Sequence, residues 1–287
     1  MGKSIRGAAL IIILFIAAIL ASISVLLVVK SKSHIERISI IKDYMKAERE
    51  VITDINHFIF VTQTSPFNIM GESRIFEFDK SNLPQGINLK GIPFKYRNSE
   101  FIVQDVGGLI PILPVYRDSL TRYLTFAGWQ DKQIYRFLDT LEDWLDNDDF
   151  QRLSGAERQQ YGTFGYPLNQ PLQSIKDIGL FTGIEPELLA SLVSDSNLVL
   201  YGVGKQTNGY APNGLLPFYF PTIEAQQIRK NRDEEKTVDV AEYSTGNWII
   251  KVNASHLNAQ SSKLLRLTKR FGDIRPFVIT KWQDREY

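Results

Sequence analysis

The chain has 287 residues, 44% of them apolar, with 33 basic and 32 acidic side chains. A formal charge of +1 provides no bulk positive field to hold nucleic acid at physiological salt, which argues against a dedicated DNA- or RNA-binding protein. The absence of cysteine excludes thiol catalysis, cysteine-ligated zinc and disulfides, and it leaves the compartment open.

An uninterrupted apolar block covers residues 8–29 and contains no charged residue, glycine or proline. At 1.5 Å per residue it spans roughly 33 Å, enough to cross a hydrocarbon core of about 30 Å. Lys3 and Arg6 precede the block and place the N-terminus in the cytoplasm, although Lys30 and Lys32 beyond it weaken this asymmetry. The block predicts a single membrane-spanning segment.

Three interpretations of this N-terminus compete. A cleaved secretory signal requires a shorter apolar region and a small-residue cleavage site, whereas here a Lys-Ser-Lys-Ser sequence follows at residues 30–33. An uncleaved signal anchor is the simplest alternative. The third interpretation rests on Gly7, a small residue that lies directly between the basic leader and the apolar block.

The helix is predicted to continue beyond the membrane, because neither glycine nor proline occurs between Ala8 and Ser65. The apolar residues after the block follow helical spacing, and polar residues fill the other face. They are Ile35, Ile38, Ile41, Met45, Ile52 and Ile55. We therefore predict one helix over residues 8–57, with its first half in lipid and its second half packing one face on a domain outside. A coiled-coil or linker helix is the alternative for the second half.

The remaining chain alternates between strand and helix character. Residues 58–115 predict short strands and turns, including strands at 58–62 and 73–78 and a sharp reversal at Gly107–Gly108. Helices are predicted at 119–126, 130–145, 155–161, 174–193 and 223–232, and strands return at 248–254, 263–271 and 276–282. A helical block between two short β blocks indicates an insertion within one α+β sheet domain.

Several motifs in this order resemble the protein K family of minor pseudopilins of the bacterial type II secretion system. The most specific is Asp-Trp-Leu-Asp-Asn-Asp-Asp at 143–149 followed by Gly-Ala-Glu at 155–157. Segments 103–110, 169–172 and 175–184 also resemble the family. The resemblance covers nearly the whole chain and includes the late strands.

The resemblance implies a fold and a domain organisation. The fold is α+β: a pilin-like long N-terminal helix packed on a small antiparallel sheet, with a large all-α insertion of helix-hairpin-helix or SAM-like type. The implied parts are a cleaved leader, a transmembrane and amphipathic helix, a first β part, the helical insertion and closing strands. Their bounds are 1–7, 8–57, 58–115, 116–245 and 246–287.

The resemblance also implies processing and location. A cytoplasm-facing prepilin peptidase is expected to cut between Gly7 and Ala8, with methylation of the new N-terminus, leaving a single-pass inner-membrane protein whose head is periplasmic. Most pilins carry glutamate at mature position five, where this chain has Ile12. That glutamate pairs with the amine of the subunit added before it, so a subunit that enters first has no such partner, and an unpaired carboxylate in lipid costs several kcal/mol. Ile12 therefore indicates a filament tip, where the expected partners are the I- and J-type minor pseudopilins and the major pseudopilin.

An acidic run provides the candidate metal site. Carboxylates at a helix end and in the following loop suit calcium, although the EF-hand spacing is absent, and a solvated acidic helix terminus explains the run equally well from the residues alone. Family members bind calcium near the insertion, so the resemblance favours the metal. The candidate ligands are Asp143, Asp146, Asp148, Asp149 and Glu157.

Other patterns support packing rather than chemistry. Residues 178–192 resemble a helix-hairpin-helix, but Glu185 and Glu187 after its turn would repel a nucleic-acid phosphate, so a packing role is favoured. Neither a nucleophile elbow nor a phosphate-binding or dinucleotide motif occurs, and the three histidines have no ligand spacing. We therefore expect an assembly protein and no enzyme. The alternative is a membrane-anchored periplasmic binding protein or enzyme that uses the acidic loop.

Overall fold

A computed structural model describes residues 4–72, 81–162, 165–167, 169–234, 242–270 and 277–284. Its helices are α1 Ser4–Gln63, α2 Phe67–Met70, α3 Arg117–Phe126, α4 Asp131–Leu145, α5 Pro186–Ser194, α6 Leu216–Tyr219 and α7 Thr222–Asp233. Its strands are β1 Phe94–Tyr96, β2 Ser99–Asp105, β3 Ile110–Leu113, β4 Leu198–Tyr201, β5 Asn247–His256, β6 Ala259–Lys269 and β7 Phe277–Asp284. The strand predicted at 73–78 lies outside the described residues. The predicted α+β class and its long N-terminal helix are confirmed.

Helix α1 is one continuous helix of 60 residues. Through its apolar first half, α1 is the one helix in the described chain that is long and apolar enough to cross a membrane. The two serines of the apolar block at residues 8–29 donate from their hydroxyls to carbonyls one turn earlier, Ser22 to Ala18 at 2.9 Å and Ser24 to Leu20 at 2.8 Å. Both serine side chains of the block therefore have a partner inside their own helix, as an apolar environment requires.

The strand predicted at residues 58–62 is wrong, because α1 continues through it to Gln63. Phe58, Ile59 and Thr62 are buried against the sheet, and the Thr62 hydroxyl donates to the Phe58 carbonyl at 2.8 Å. Aromatic and β-branched residues favour strands in isolation, but here tertiary packing of one helix face determines the outcome.

The second half of α1 packs on the head through a different face from the one predicted. Of the predicted apolar stripe only Ile55 is buried, whereas Ile35, Ile38, Ile41, Met45 and Ile52 are exposed. The buried positions include Ala47, Val51, Asp54, Ile55 and Phe58. Sequence periodicity marks an apolar face but does not say whether it meets the same chain or another one.

Polar contacts explain the choice of face. The Asp54 carboxylate is buried and accepts from Arg97 Nε at 2.9 Å and from the Ser99 hydroxyl at 2.8 Å. Glu48 pairs with Lys263 of β6 at 2.8 Å. The head thus packs on a face of α1 that carries both apolar and charged residues, and the predicted apolar stripe stays exposed.

The main sheet has five antiparallel strands in the order β1-β2-β5-β6-β7. Residues of β5 alternate between buried and partly exposed, and Trp248, Ile250 and Val252 point towards α1. The core between sheet and helix also contains Phe58 and Phe101, whose ring centroids are 4.9 Å apart. This alternation follows the two-residue repeat of a strand with one covered face.

The helical unit is inserted between β2 and β5. The segment that enters it and the segment that leaves it both contact Asp105. The fully buried Asp105 carboxylate accepts from Gly107 N at 2.8 Å and Ser244 Oγ at 2.7 Å, and from Thr245 N at 2.8 Å and Thr245 Oγ1 at 2.6 Å. A Cβ on Gly108 would lie 2.3 Å from the Tyr210 carbonyl oxygen, which explains the glycine at this reversal. One side chain therefore joins the entry to and the exit from the inserted unit.

The two connections between the main sheet and the inserted unit lie at the end of the sheet farthest from the apolar first half of α1. At the near end, His256 closes β5 and lies 3.8 Å from Glu50 of α1. At the far end, Trp248, the second residue of β5, packs on Phe67, beyond the end of α1, with ring centroids 5.8 Å apart. The inserted unit therefore projects from the membrane-distal end of the head.

The inserted unit has its own core, built around Phe137, Leu141 and Trp144 of α4. The helix predicted at 155–161 is absent, since this segment forms turns, and the helix predicted at 174–193 is interrupted at Gly183, whose φ is +71°. The unit also contains a two-stranded parallel sheet, β3–β4, with Ile110 paired to Leu198. Parallel pairing joins segments about 90 residues apart, which local sequence patterns do not reveal.

Candidate metal centre

Helix α4 positions the acidic residues. Its apolar side is fixed in the core by residues such as Phe137, Leu138, Leu141 and Trp144. Asp139 lies three or four residues before the adjacent pair Glu142 and Asp143, and Asp146 lies three or four residues after that pair. These four residues are therefore neighbours on one surface of the helix.

Two arginines neutralise much of this acidic surface. Arg152 donates from Nη1 to Asp143 at 2.7 Å and to Asp146 at 2.5 Å, and its Nε lies 2.9 Å from Glu142. Arg117 pairs with Asp139 at 2.9 Å and with Glu142 at 2.8 Å. The loop after α4 therefore folds back so that its arginine lies over the end of the helix.

Three of the five predicted ligands converge. Carboxylate oxygens of Asp146, Asp148 and Glu157 all lie within 4.8 Å of one another. Asp143 is fully buried and engaged by Arg152. Asp149 is exposed and lies 3.5 Å from Arg158. Within the described chain, the candidate centre thus consists of the first three residues, with Asp143 behind it.

Glu157 has an unusual environment. Its side chain is buried, and neither carboxylate oxygen has a hydrogen-bond partner among the described residues. The Asp146 Oδ1 atom beside it also lacks a hydrogen-bond partner in the described part of the chain. Burial, together with the nearby charges of Asp143, Asp146, Asp149 and Asp148, raises the pKa of Glu157 to about 7. A buried, unpaired carboxylate next to other carboxylates is costly, and a bound cation removes that cost.

The glycine of the Gly-Ala-Glu motif has a steric explanation. A Cβ placed on Gly155 would lie 1.8 Å from Asp143 Oδ2 and 3.1 Å from the Asp139 carbonyl. The loop therefore passes against the Asp143 carboxylate with no room for a side chain, which brings Glu157 back towards the end of α4.

We expect Gly155→Ala to destabilise the inserted unit by about 1–3 kcal/mol, because overpacking displaces the Asp143 carboxylate from Arg152. Urea unfolding followed by tryptophan fluorescence measures this change. Gly162→Ala is the matched control, since a Cβ there meets no atom of the described residues within 4 Å. Equal unfolding midpoints for the two variants would contradict the steric explanation.

Sequence reasoning missed the cations of this site. Arg152 and Arg117 occur in no recognisable motif, and Asp139 and Glu142 were not among the predicted residues. The available signal was the regular three- and four-residue spacing of acidic residues on α4, which requires a compensating charge nearby.

The hairpin at 178–192 contributes to packing. Ile178, Leu189 and Leu192 are buried in the core of the inserted unit. Glu185 and Glu187 occupy the start of α5, as expected for acidic residues at a helix N-terminus. The contacts of the hairpin thus agree with the predicted packing role.

Comparisons with known proteins agree with this architecture. Residues 106–194 match the family model described as "Type II secretion system (T2SS), protein K". One chain of the crystal structure of the GspK–GspI–GspJ complex from the enterotoxigenic Escherichia coli type 2 secretion system has the same fold, with a TM-score of 0.55 at 13% identity. The alignment covers 88% of this chain and 100% of that one. A search of curated proteins found no match.

Proposed function

We propose that this chain, whose residues 106–194 match the protein K family of type II secretion systems, is a minor pseudopilin of that family and stands at the pseudopilus tip. There it caps or initiates assembly and supports secretion across the outer membrane. The observation that carries this proposal is the position of the inserted unit at the membrane-distal end of the head. A unit of this size would obstruct a subunit stacked above it, but it has free space at the end of a filament.

The residue at position 12 supports the same location. Ile12 occupies the position where pilins generally carry a membrane-embedded glutamate. An isoleucine there costs nothing in lipid, whereas a glutamate without the amine of a preceding subunit costs several kcal/mol. A subunit that enters first benefits from this substitution.

We propose that the exposed stripe of α1 contacts the I- and J-type minor pseudopilins and, below them, the major pseudopilin. Ile38, Ile41, Met45 and Ile52 are all exposed along the part of α1 that leaves the membrane. Contiguous exposed apolar residues on a helix indicate a protein interface. The solved structure with this fold comes from a complex of three such proteins.

We further propose that calcium binds at Asp146, Asp148 and Glu157. The donor set contains only carboxylate oxygens, which suit a hard cation. The oxygens of Glu157 and Asp146 that have no hydrogen-bond partner among the described residues would be neutralised by the bound ion. The ion has a structural role here, because it stabilises the loop between α4 and Glu157. This use of the acidic loop favours an assembly protein over a periplasmic enzyme.

Processing at Gly7 tests the pseudopilin assignment. We expect a mature protein that begins at Ala8, formed by prepilin peptidase in the inner membrane, with a methylated terminus and a periplasmic head. Mass spectrometry of protein purified from cells measures this terminus. Gly7→Ala, or loss of the peptidase, is expected to leave the leader attached, whereas Gly2→Ala in the same leader is the matched control and leaves cleavage intact. An intact leader in the unmodified protein would contradict the assignment.

A further inference from the structure

A groove of about 690 Å³ lies between the inserted unit and the outer face of the main sheet, the face opposite α1. One wall is the strand β4 with Gly202 and Val203 after it. The floor is formed by residues of β5 and β6, including Ile249, Leu264 and Thr268. Neither the assembly surface of α1 nor the acidic site forms part of this groove.

The wall formed by β4 is the edge of a sheet. Strand β4 pairs only with β3 among the described strands, so its other edge has no strand partner there. The segment at 173–175 also lines the groove, and the Tyr201 hydroxyl donates to the Leu172 carbonyl at 2.6 Å. An open edge presents main-chain donors and acceptors and is a template for another extended chain. Leu200 is half-buried and Tyr201 is exposed along this edge.

A positive charge faces the groove without an acidic partner among the described residues. Arg266 of β6 lines the groove and is half-buried, yet its guanidinium makes neither an ion pair nor a hydrogen bond with any described residue. Burial lowers its pKa, and no carboxylate of the described chain offsets that effect. An arginine fork in a partly apolar site fits a carboxylate, to which it donates two parallel hydrogen bonds.

We propose that this groove binds an extended peptide segment of a partner protein, which adds to the β4 edge and places a glutamate or aspartate side chain on Arg266. The apolar floor receives side chains that alternate with solvent-facing ones along the segment. The strand edge favours a peptide over a fatty acid, which has a carboxylate but no main-chain groups to pair with β4.

Fluorescence anisotropy with two synthetic peptides tests the proposal, using the full chain in lipid nanodiscs. The probes are fluorescein-labelled Ser-Val-Thr-Glu-Thr-Val-Ser and its glutamine counterpart, in which both valines and the central residue share one face. We expect the glutamate peptide to bind roughly tenfold more tightly, and Arg266→Met to abolish that preference. Lys251→Met, on the same sheet face but outside the groove, is the matched control and keeps the preference.

Disulfide trapping locates the bound peptide, since the chain has no cysteine of its own. A glutamate peptide with a terminal cysteine is expected to cross-link to Thr280→Cys, in the groove, and not to Thr125→Cys, an exposed position on α3. Equal affinity for the two peptides, a preference that survives Arg266→Met, or equal trapping at both cysteines would overturn the proposal. So would binding of sodium laurate that depends on Arg266 while neither peptide binds.

Discussion

Saturating calcium is expected to raise the melting temperature of the full chain in nanodiscs by about 5–10 °C relative to chelator. A ligand at about 100 times its dissociation constant adds about 2.7 kcal/mol to the free energy of unfolding. For a protein of this size each kcal/mol corresponds to roughly 2–4 °C. Differential scanning calorimetry with calcium or EGTA measures the shift.

Glu157→Gln separates the metal from other contributions. This variant is expected to lose the calcium-dependent shift, while melting above the original protein in EGTA because it no longer buries an unpaired charge. Asp149→Asn, outside the converging group, is the matched control and keeps the shift. An unchanged melting temperature on adding EGTA would rule out a structural ion.

The pH dependence of the metal-free protein follows from the same residue. The pKa of Glu157 in the folded chain, about 7, lies above its ordinary value of 4.5, so the folded state holds the proton more tightly than the unfolded state. In EGTA, its contribution to the free energy of unfolding therefore decreases as the pH rises from about 4.5 to about 7. Urea unfolding at pH 5 and pH 7.5 is expected to show this loss in the original protein and not in Glu157→Gln.

The second large effect is expected from Asp105→Ala, which should lower the free energy of unfolding by more than about 3 kcal/mol. The substitution leaves the two main-chain N–H groups of Gly107 and Thr245 and the hydroxyls of Ser244 and Thr245 without their acceptor in a buried site. Each unsatisfied buried donor costs about 1–3 kcal/mol. Urea unfolding by tryptophan fluorescence measures the loss.

Two variants control this measurement. Glu100→Ala, an exposed acidic residue on the same strand, is expected to change the free energy of unfolding by less than about 0.5 kcal/mol. Asp105→Asn preserves the shape of the side chain but places an amide donor opposite main-chain donors. Its free energy of unfolding should therefore lie between those of Asp105→Ala and Glu100→Ala. A stability of Asp105→Ala equal to that of Glu100→Ala would show that the junction does not depend on the carboxylate.

Local patterns predicted most of the fold. The apolar block, the uninterrupted helix after it, and the helical and strand segments of the head all follow from periodicity and from the positions of glycine and proline. The failures involve long-range packing. Residues 58–62 have strand propensity but complete the face of α1 that meets the sheet, and β4 pairs with a strand about 90 residues earlier.

The candidate site was predictable only in part. The acidic run at 143–149 and Glu157 were identified, and the structure brings Asp146, Asp148 and Glu157 together. The sequence did not indicate that Asp143 is engaged by Arg152, or that Gly155 is required because the loop touches the Asp143 carboxylate. Both facts depend on how the loop folds back, which the order of residues does not specify.

The junction at Asp105 determines how the molecule bears mechanical load. The inserted unit is attached to the ends of two adjacent strands, and β2 and β5 are paired along seven residues directly below it. A force that pulls the unit away from the membrane therefore acts along both strands at once. The hydrogen bonds to β1 and β6 are then loaded in shear, all together, instead of opening one after another. The Asp105 carboxylate, which joins the two attachment points, divides the force between them.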